Sequence, residues 1–215
     1  MADARRSRRR GVYSMGVRLS PRAPMKNLDK NTLAYVTGLA IGDGNLSNPN
    51  GRATRLRITC DTKYQNLIKE ICTSIQKVLP ENKVLIIKRA KTFWDVSCYS
   101  NKWEGWLGWQ AKGGSKYNQN VSIPDWIQTK EKYKINCLRG LLQTDGTIYL
   151  DRKYKAVMFT TIIYDLAHQV LNMIKELGFN PHLYEIKSKD KKTRYNIRIS
   201  KNVDKFIKKI QFVKN

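Results

Sequence analysis

Two short stretches of this 215-residue chain hold residues that could do chemistry together. Thr37-Gly38-Leu39-Ala40-Ile41-Gly42-Asp43-Gly44 and Arg139-Gly140-Leu141-Leu142-Gln143-Thr144-Asp145-Gly146 carry Gly, Leu, Asp and Gly in the same order at one constant offset. Each stretch closes an apolar helical pattern, Leu33, Val36, Ala40 and Ile41 in the first and Ile135, Leu138, Leu141 and Leu142 in the second. Small residues recur four apart, Gly38 with Gly42 and Gly140 with Thr144. A glycine inside a helix costs about 1 kcal/mol, and close backbone approach between two helices is a reason to accept it. The spacing predicts that Asp43-Gly44 and Asp145-Gly146 end the two helices, each glycine supplying a left-handed terminating conformation. An acid at that end faces the negative pole of the helix dipole. Two such helices side by side would bring both carboxylates and both sets of terminal carbonyls to one point. Hard oxygen donors so close together call for a divalent cation, Mg²⁺ or a similar ion, with positions left open for water and a phosphate.

The elements that must position these acids repeat as well. Leu56 to Thr62 and Val157 to Ile163 alternate as strands, and a helical stretch follows each, Tyr64 to Val78 and Tyr164 to Leu177. Two strand-like runs come next in each half: Lys83 to Lys88 and Phe93 to Tyr99, then His182 to Lys187 and Arg194 to Ser200. Apolar helical patterns close the halves, with Trp103, Trp106 and Leu107 matching Val203, Phe206 and Ile207. The predicted class is α+β, two αββαββα repeats, each an antiparallel four-stranded sheet with helices on one face and the other face exposed. Gly113-Gly114-Ser115 marks a loop, and Ile123-Pro124-Asp125-Trp126 reads as a helix start. The expected organisation is a basic N-terminal arm over residues 1–27, read as disordered, a first repeat over 28–124 and a second over 125–215.

Charge narrows the partner. The chain has 41 Lys+Arg against 17 Asp+Glu, a formal net charge of +24. Eight of those basic residues and one acid lie within residues 1–26, so most of the excess belongs to the rest of the chain. Nucleic acid is the commonest polyanion that would offset such self-repulsion. The strands fit that partner: Arg55, Arg57 and Thr59 alternate with Leu56, Ile58 and Cys60, and Arg194, Asn196 and Arg198 alternate with Tyr195, Ile197 and Ile199. Paired arginines on an exposed sheet face suit bidentate contacts to guanine. Arg52, Lys88, Arg89, Arg152, Lys153, Lys187 and Lys189 are the expected phosphate contacts.

Other chemistry is excluded or demoted. The longest apolar runs, such as Val84 to Ile87, fall far short of the roughly 20 residues of a membrane helix. Four cysteines, at 60, 72, 98 and 137, form no CxxC pair, and with only His168 and His182 to join them a zinc finger or ribbon is ruled out. The expectation is a soluble, intracellular protein in a reducing compartment, with an organelle as the alternative that the Arg-rich N-terminus raises. The helical spacing of the five tryptophans places them in the core rather than on bases.

With its matched Val36 to Gly44 and Leu138 to Gly146 motifs, the sequence resembles a single-chain, two-repeat LAGLIDADG homing endonuclease from about residue 28 to 214. The departures are Val36 and Thr37 in the first copy and Arg139 and Thr144 in the second, where Thr144 puts a larger residue at the helix crossing. The resemblance implies a pseudo-symmetric saddle, acting as a monomer, whose sheets enter successive major grooves of double-stranded DNA. It implies that Asp43 and Asp145, with the Gly42 and Thr144 carbonyls, hold metal ions at the minor groove and position water for in-line attack, leaving 3′ overhangs. Mg²⁺ or Mn²⁺ would support cleavage, and Ca²⁺ would bind without doing so. The family also places lysines around this centre. Repeat alignment points to Lys116, or Lys112, and to Lys214 as stabilisers of developing charge. The alternatives on the same fold are an RNA maturase that binds its intron RNA and a DNA-binding regulator that cleaves nothing.

Overall fold

The computed structural model of the protein describes residues 28–213. The N-terminal arm and Lys214 lie outside the described residues.

Asp29 starts the first helix. Its Oδ1 accepts from the backbone N–H groups of Asn31 and Thr32 at 3.1 and 3.3 Å, and its Oδ2 from the Thr32 hydroxyl at 2.7 Å, an N-cap that satisfies donors no helical carbonyl can reach. Helix α1, Lys30–Asp43, then runs through the middle of the molecule and is buried on every side from Leu33 to Ile41. An all-round apolar helix needs walls on every side. Its walls are the strands β1 (Gly44–Ser47) and β2 (Arg55–Asp61), the helices α2 (Gln65–Val78) and α3 (Trp103–Leu107), and the equivalent helix of the second half. The strands β3 (Val84–Lys88) and β4 (Phe93–Tyr99) complete a fully antiparallel sheet in the order β1-β2-β4-β3.

After a short helix α4, Asp125–Gln128, the second half repeats the pattern. It contains α5 (Glu131–Asp145), β5 (Gly146–Asp151), β6 (Tyr154–Thr161), α6 (Tyr164–Glu176), β7 (His182–Ile186), β8 (Arg194–Ile199) and α7 (Val203–Ile210). Its sheet has the same order, β5-β6-β8-β7. The α+β class and the αββαββα repeat read from the sequence are those of the fold. In both sheets one set of alternating residues is buried under helices: Leu56, Ile58, Val96 and Cys98 in the first, Val157, Phe159, Ile197 and Ile199 in the second. Helices α2 and α6 contribute single apolar stripes, Leu67, Ile68, Ile71, Ile75 and Val78, then Leu166, Val170, Leu171 and Ile174. Among the tryptophans, Trp103, Trp106 and Trp109 are buried and Trp94 and Trp126 half-buried against the core, although Trp94 stands on β4 and Trp109 follows α3, so helical spacing does not account for those two.

Helices α1 and α5 join the halves along the predicted small-residue positions. A β-carbon built on Gly140 would lie 2.7 Å from the backbone nitrogen of Leu39, and one on Gly38 would fall on the Cys137 carbonyl oxygen. No side chain fits there, so the glycines set the distance between the helices. Thr144 fits at the crossing because Gly42 lies opposite it: a β-carbon on Gly42 would stand 2.7 Å from Thr144 Cβ. The Thr144 hydroxyl turns back to donate to Leu141 O at 2.8 Å and Gly140 O at 3.1 Å.

The glycines after the acids differ from expectation. Gly44 has φ −79° and ψ 153°, and Gly146 φ −87° and ψ 154°. Both are extended backbone, not the left-handed conformation that ends many helices. Each helix passes straight into a strand, so the chain doubles back against its own last turn. A β-carbon on Gly44 would lie 2.5 Å from Ala40 Cα, and one on Gly146 2.7 Å from Leu142 Cα. Close approach, rather than handedness, is what these two glycines supply.

Candidate active site

Because α1 and α5 end side by side and each leads directly into an edge strand, Asp43 and Asp145 stand exposed at neighbouring helix termini. Asp145 reaches across the crossing, its Oδ2 lying 3.1 Å from where a β-carbon of Gly42 would sit. Asp43 acts on β2 as well. Burial is the main cause that pushes the Cys60 thiol up to about 12, and the Asp43 charge adds to it.

Lys116 completes the cluster. Its ammonium donates to the carbonyl oxygens of Ile41 at 2.6 Å, of Ala40 at 3.4 Å and of Gly42. These are carbonyls of the last turn of α1, which lacks helical donors and carries the negative pole of the helix. Burial lowers the Lys116 pKa, while the charges of Asp145 and Asp43 pull it back up. One ammonium thus feels both acids, although they come from different repeats. A cleft of about 240 Å³ opens beside it, lined by Gly44, Asn45, Leu46, Trp109, Ser115 and Lys116. The seated ammonium also shows what the oxygens suit. They are hard donors with net negative potential, and a cation fits among them. Among the described residues no three His, Cys, Asp or Glu side chains group closely enough to hold a metal by themselves.

Lys112, the alternative to Lys116, is exposed in the same loop. Lys214 lies outside the described residues, but the preceding residue is placed: the Val213 carbonyl lies 3.4 Å from Gln143 Nε2 on α5. Gln143 is buried at the helix interface, where it accepts from the Tyr35 hydroxyl at 2.6 Å. Arg139 stacks over the Tyr35 ring and pairs with Glu70 at 2.5 Å. The sequence reading missed this polar clasp between α1, α2 and α5. Its signal was available, since Arg139 and Gln143 lie one helical turn apart within the motif.

The expected nucleic-acid residues lie on the outward sheet faces and in the loops beside them. Arg55, Arg57 and Thr59 share one face of β2, and Arg55 Nε donates to Ser47 Oγ at 3.2 Å. Lys88 lies over the Trp94 ring, and Arg52 is exposed in the β1–β2 loop. In the second half, Arg152 and Lys153 form the β5–β6 turn with φ of 48° and 74°. Lys187 and Lys189 are exposed between β7 and β8. Arg194, Asn196 and Arg198 share a face of β8, with Asn196 accepting from the Thr160 hydroxyl at 3.0 Å and Arg198 paired to Asp151 at 2.5 Å. Arg89 and Arg57 meet at a residue the sequence reading did not single out, Asp95.

Two family models match the chain, a LAGLIDADG-like domain over residues 132–211 and the WhiA LAGLIDADG-like domain over residues 32–94. The chain is a single-chain, two-motif LAGLIDADG protein. Solved structures share this LAGLIDADG fold. The homing endonuclease I-DmoI in complex with DNA and Mn is 20% identical with a TM-score of 0.60, over 86% of this chain and 96% of that one. A variant of I-DmoI with its target DNA and Mg is 21% identical with a TM-score of 0.64, over 86% and 97%. The N-terminal LAGLIDADG domain of DUF199/WhiA is 13% identical with a TM-score of 0.56, over 88% and 85%. A curated relative, the tRNA-splicing ligase RtcB of Methanopyrus kandleri, is 25% identical over 211 residues, an alignment taking in 84% of this chain. The LAGLIDADG chain spans only 20% of that relative's length.

Proposed function

We propose that this protein is a site-specific, divalent-metal-dependent endonuclease that cuts both strands of a long asymmetric DNA site and leaves 3′ overhangs. The observation that carries the reading is that one half-buried ammonium, Lys116, sits on the α1 terminal carbonyls within the charge field of both Asp43 and Asp145. Two carboxylates from different repeats, focused on one cationic centre, form a site built for charge that develops between two strands. Asp43 and Asp145, with the Gly42 and Thr144 carbonyls, would hold Mg²⁺ or Mn²⁺, the remaining ligands coming from water and phosphate. The ion would supply Lewis-acid activation and a nucleophilic water. The acids would orient that water for in-line attack, and Lys116, seated on the α1 carbonyls here, would turn from the Gly42 carbonyl toward the phosphate oxygens on which negative charge grows. The basic, arginine-bearing sheet faces supply groove contacts, and their different residues in the two halves favour an asymmetric site read by a monomer. I-DmoI bound to DNA with Mn or Mg supports the choice of partner and metal.

A second reading is a DNA-binding regulator of the same fold that does not cleave. It draws on the match of the first repeat to the WhiA domain. One experiment separates the two: a randomised duplex library incubated with Mg²⁺, beside reactions with EDTA and with Asp145→Asn. Recovery of one long site, cut only with metal and intact Asp145, carries the nuclease. Tight, specific binding without any cut carries the regulator.

A further inference from the structure

The outward face of the first sheet holds a carboxylate that the helix crossing does not use. Asp95, in the middle of β4, lies opposite Thr59 of β2 and shares its face with Arg57 and Ser97. Asp95 is only 2% exposed, and Ser97 beside it on that face is buried as well. Three side chains cover Asp95. The Thr59 hydroxyl donates to Oδ1 at 2.7 Å, Arg89 Nε donates to Oδ2 at 2.9 Å, and Arg57 Nε lies 3.8 Å from the same Oδ2. The two guanidinium side chains keep 31% and 44% of their exposure.

The edge used matters. A guanidinium has one donor edge that includes Nε and a second made of its two terminal nitrogens. A carboxylate that engages Nε leaves the terminal pair directed away from it, and that pair matches O6 and N7 of guanine. Arg89 is fixed in this way, and Arg57 Nε faces the same oxygen at 3.8 Å, an ion pair without a hydrogen bond. The second half lacks the device. Asn196 takes the place of Asp95, paired with Thr160 as Asp95 is with Thr59, and Met158 stands on β6 where β2 has Arg57. Arg198 there is held by Asp151 through one terminal nitrogen at 2.5 Å, and no hydrogen bond to its Nε is made among the described residues.

We propose that Asp95 is a positioning residue for base recognition, holding Arg57 and Arg89 as a paired guanine-reading unit in the first half. Arg89 then reads a base edge, although sequence alone assigns it to phosphate. The inference rests on the reading of this protein as a sequence-specific binder of duplex DNA.

The test is binding-site selection from randomised duplex DNA by the full chain, with EDTA present so that binding alone is scored position by position. Asp95→Asn keeps the shape of the side chain but removes its charge, and Arg89→Lys keeps the charge but removes the fork. Both are expected to lose about tenfold or more in discrimination at the same one or two base pairs of one half-site, with preference elsewhere unchanged. A thermal melt checks that each variant is folded, and if Asp95→Asn is not, Arg89→Lys decides. Unchanged preference in a folded variant, or a loss spread evenly over both half-sites, overturns the role of Asp95. If the unaltered protein selects no site, the DNA-binding reading falls and this inference with it.

Discussion

Lys116 Nζ stands 2.6 Å from the carbonyl oxygen of Ile41, so a loop residue far along the chain caps the end of the first motif helix. That end presents carbonyls without helical donors and carries the negative pole of the helix. An acid follows there, and a second acid arrives from the partner helix. The fold has therefore gathered negative potential at one point and, among the described residues, set the Lys116 ammonium against it.

Replacing that ammonium should damage chemistry more than binding. Lys116→Met keeps most of the stem and removes the charge. Cleavage under single-turnover conditions is expected to fall by about 10² to 10³, as for loss of one preorganised donor at a developing oxyanion. DNA affinity should change only a few-fold, because one charge is removed from a chain with a net charge of +24. Cleavage at the unaltered rate would remove Lys116 from the reacting centre.

The helix crossing gives a prediction whose sign is informative. On an exposed helix, Gly→Ala stabilises by up to about 1 kcal/mol. Gly140→Ala should do the opposite, because its β-carbon would lie 2.7 Å from the Leu39 nitrogen, and backbone cannot move aside as a side chain does. The expected loss is about 1 to 3 kcal/mol, measured by urea denaturation. Stabilisation would mean that the two helices do not approach so closely in solution.

Asp43 and Asp145 should be separable from DNA affinity. With either changed to Asn, double-strand cleavage is expected to vanish while specific binding in EDTA remains within a few-fold. A variant that cuts normally would show that the two acids do not share a centre.

What the sequence made legible follows from periodicity. Alternation marked the longer strands, the 3.6-residue stripes marked α2 and α6, and the matched glycines located the helix crossing. The conformation of Gly44 and Gly146 was not legible, because a glycine after a helix serves equally for a left-handed turn or for a tight reversal against Ala40 or Leu142. Only the placement of β1 and β5 decides between them. Asp95 was missed for a different reason. An acid on a strand reads as one more solvated residue, and only the register that sets it against Thr59, beside Arg57 and Arg89, reveals that it is covered. Lys116 could be reached by repeat alignment, but its seat on the α1 carbonyls depends on how residues 109–124 fold back, and no local pattern encodes that.

The start of α1 carries a pH-dependent contribution whose direction is fixed. A hydrogen bond from Lys77, 2.6 Å away, is the main cause that brings the Asp29 carboxyl from its ordinary 3.8 down to about 2, with the Thr32 contacts adding to it. The folded value lies below the unfolded one, so the contribution is complete above the ordinary value and is lost as pH falls through the folded value. Asp29→Ala removes both the cap and the ion pair. It should lower stability near neutral pH by about 1 kcal/mol. The gap between variant and unaltered protein should then narrow as pH falls from 3.8 toward 2. Urea denaturation of both proteins across that range measures the gap directly, and a gap that stays constant would mean that the carboxylate does not hold its charge through Lys77.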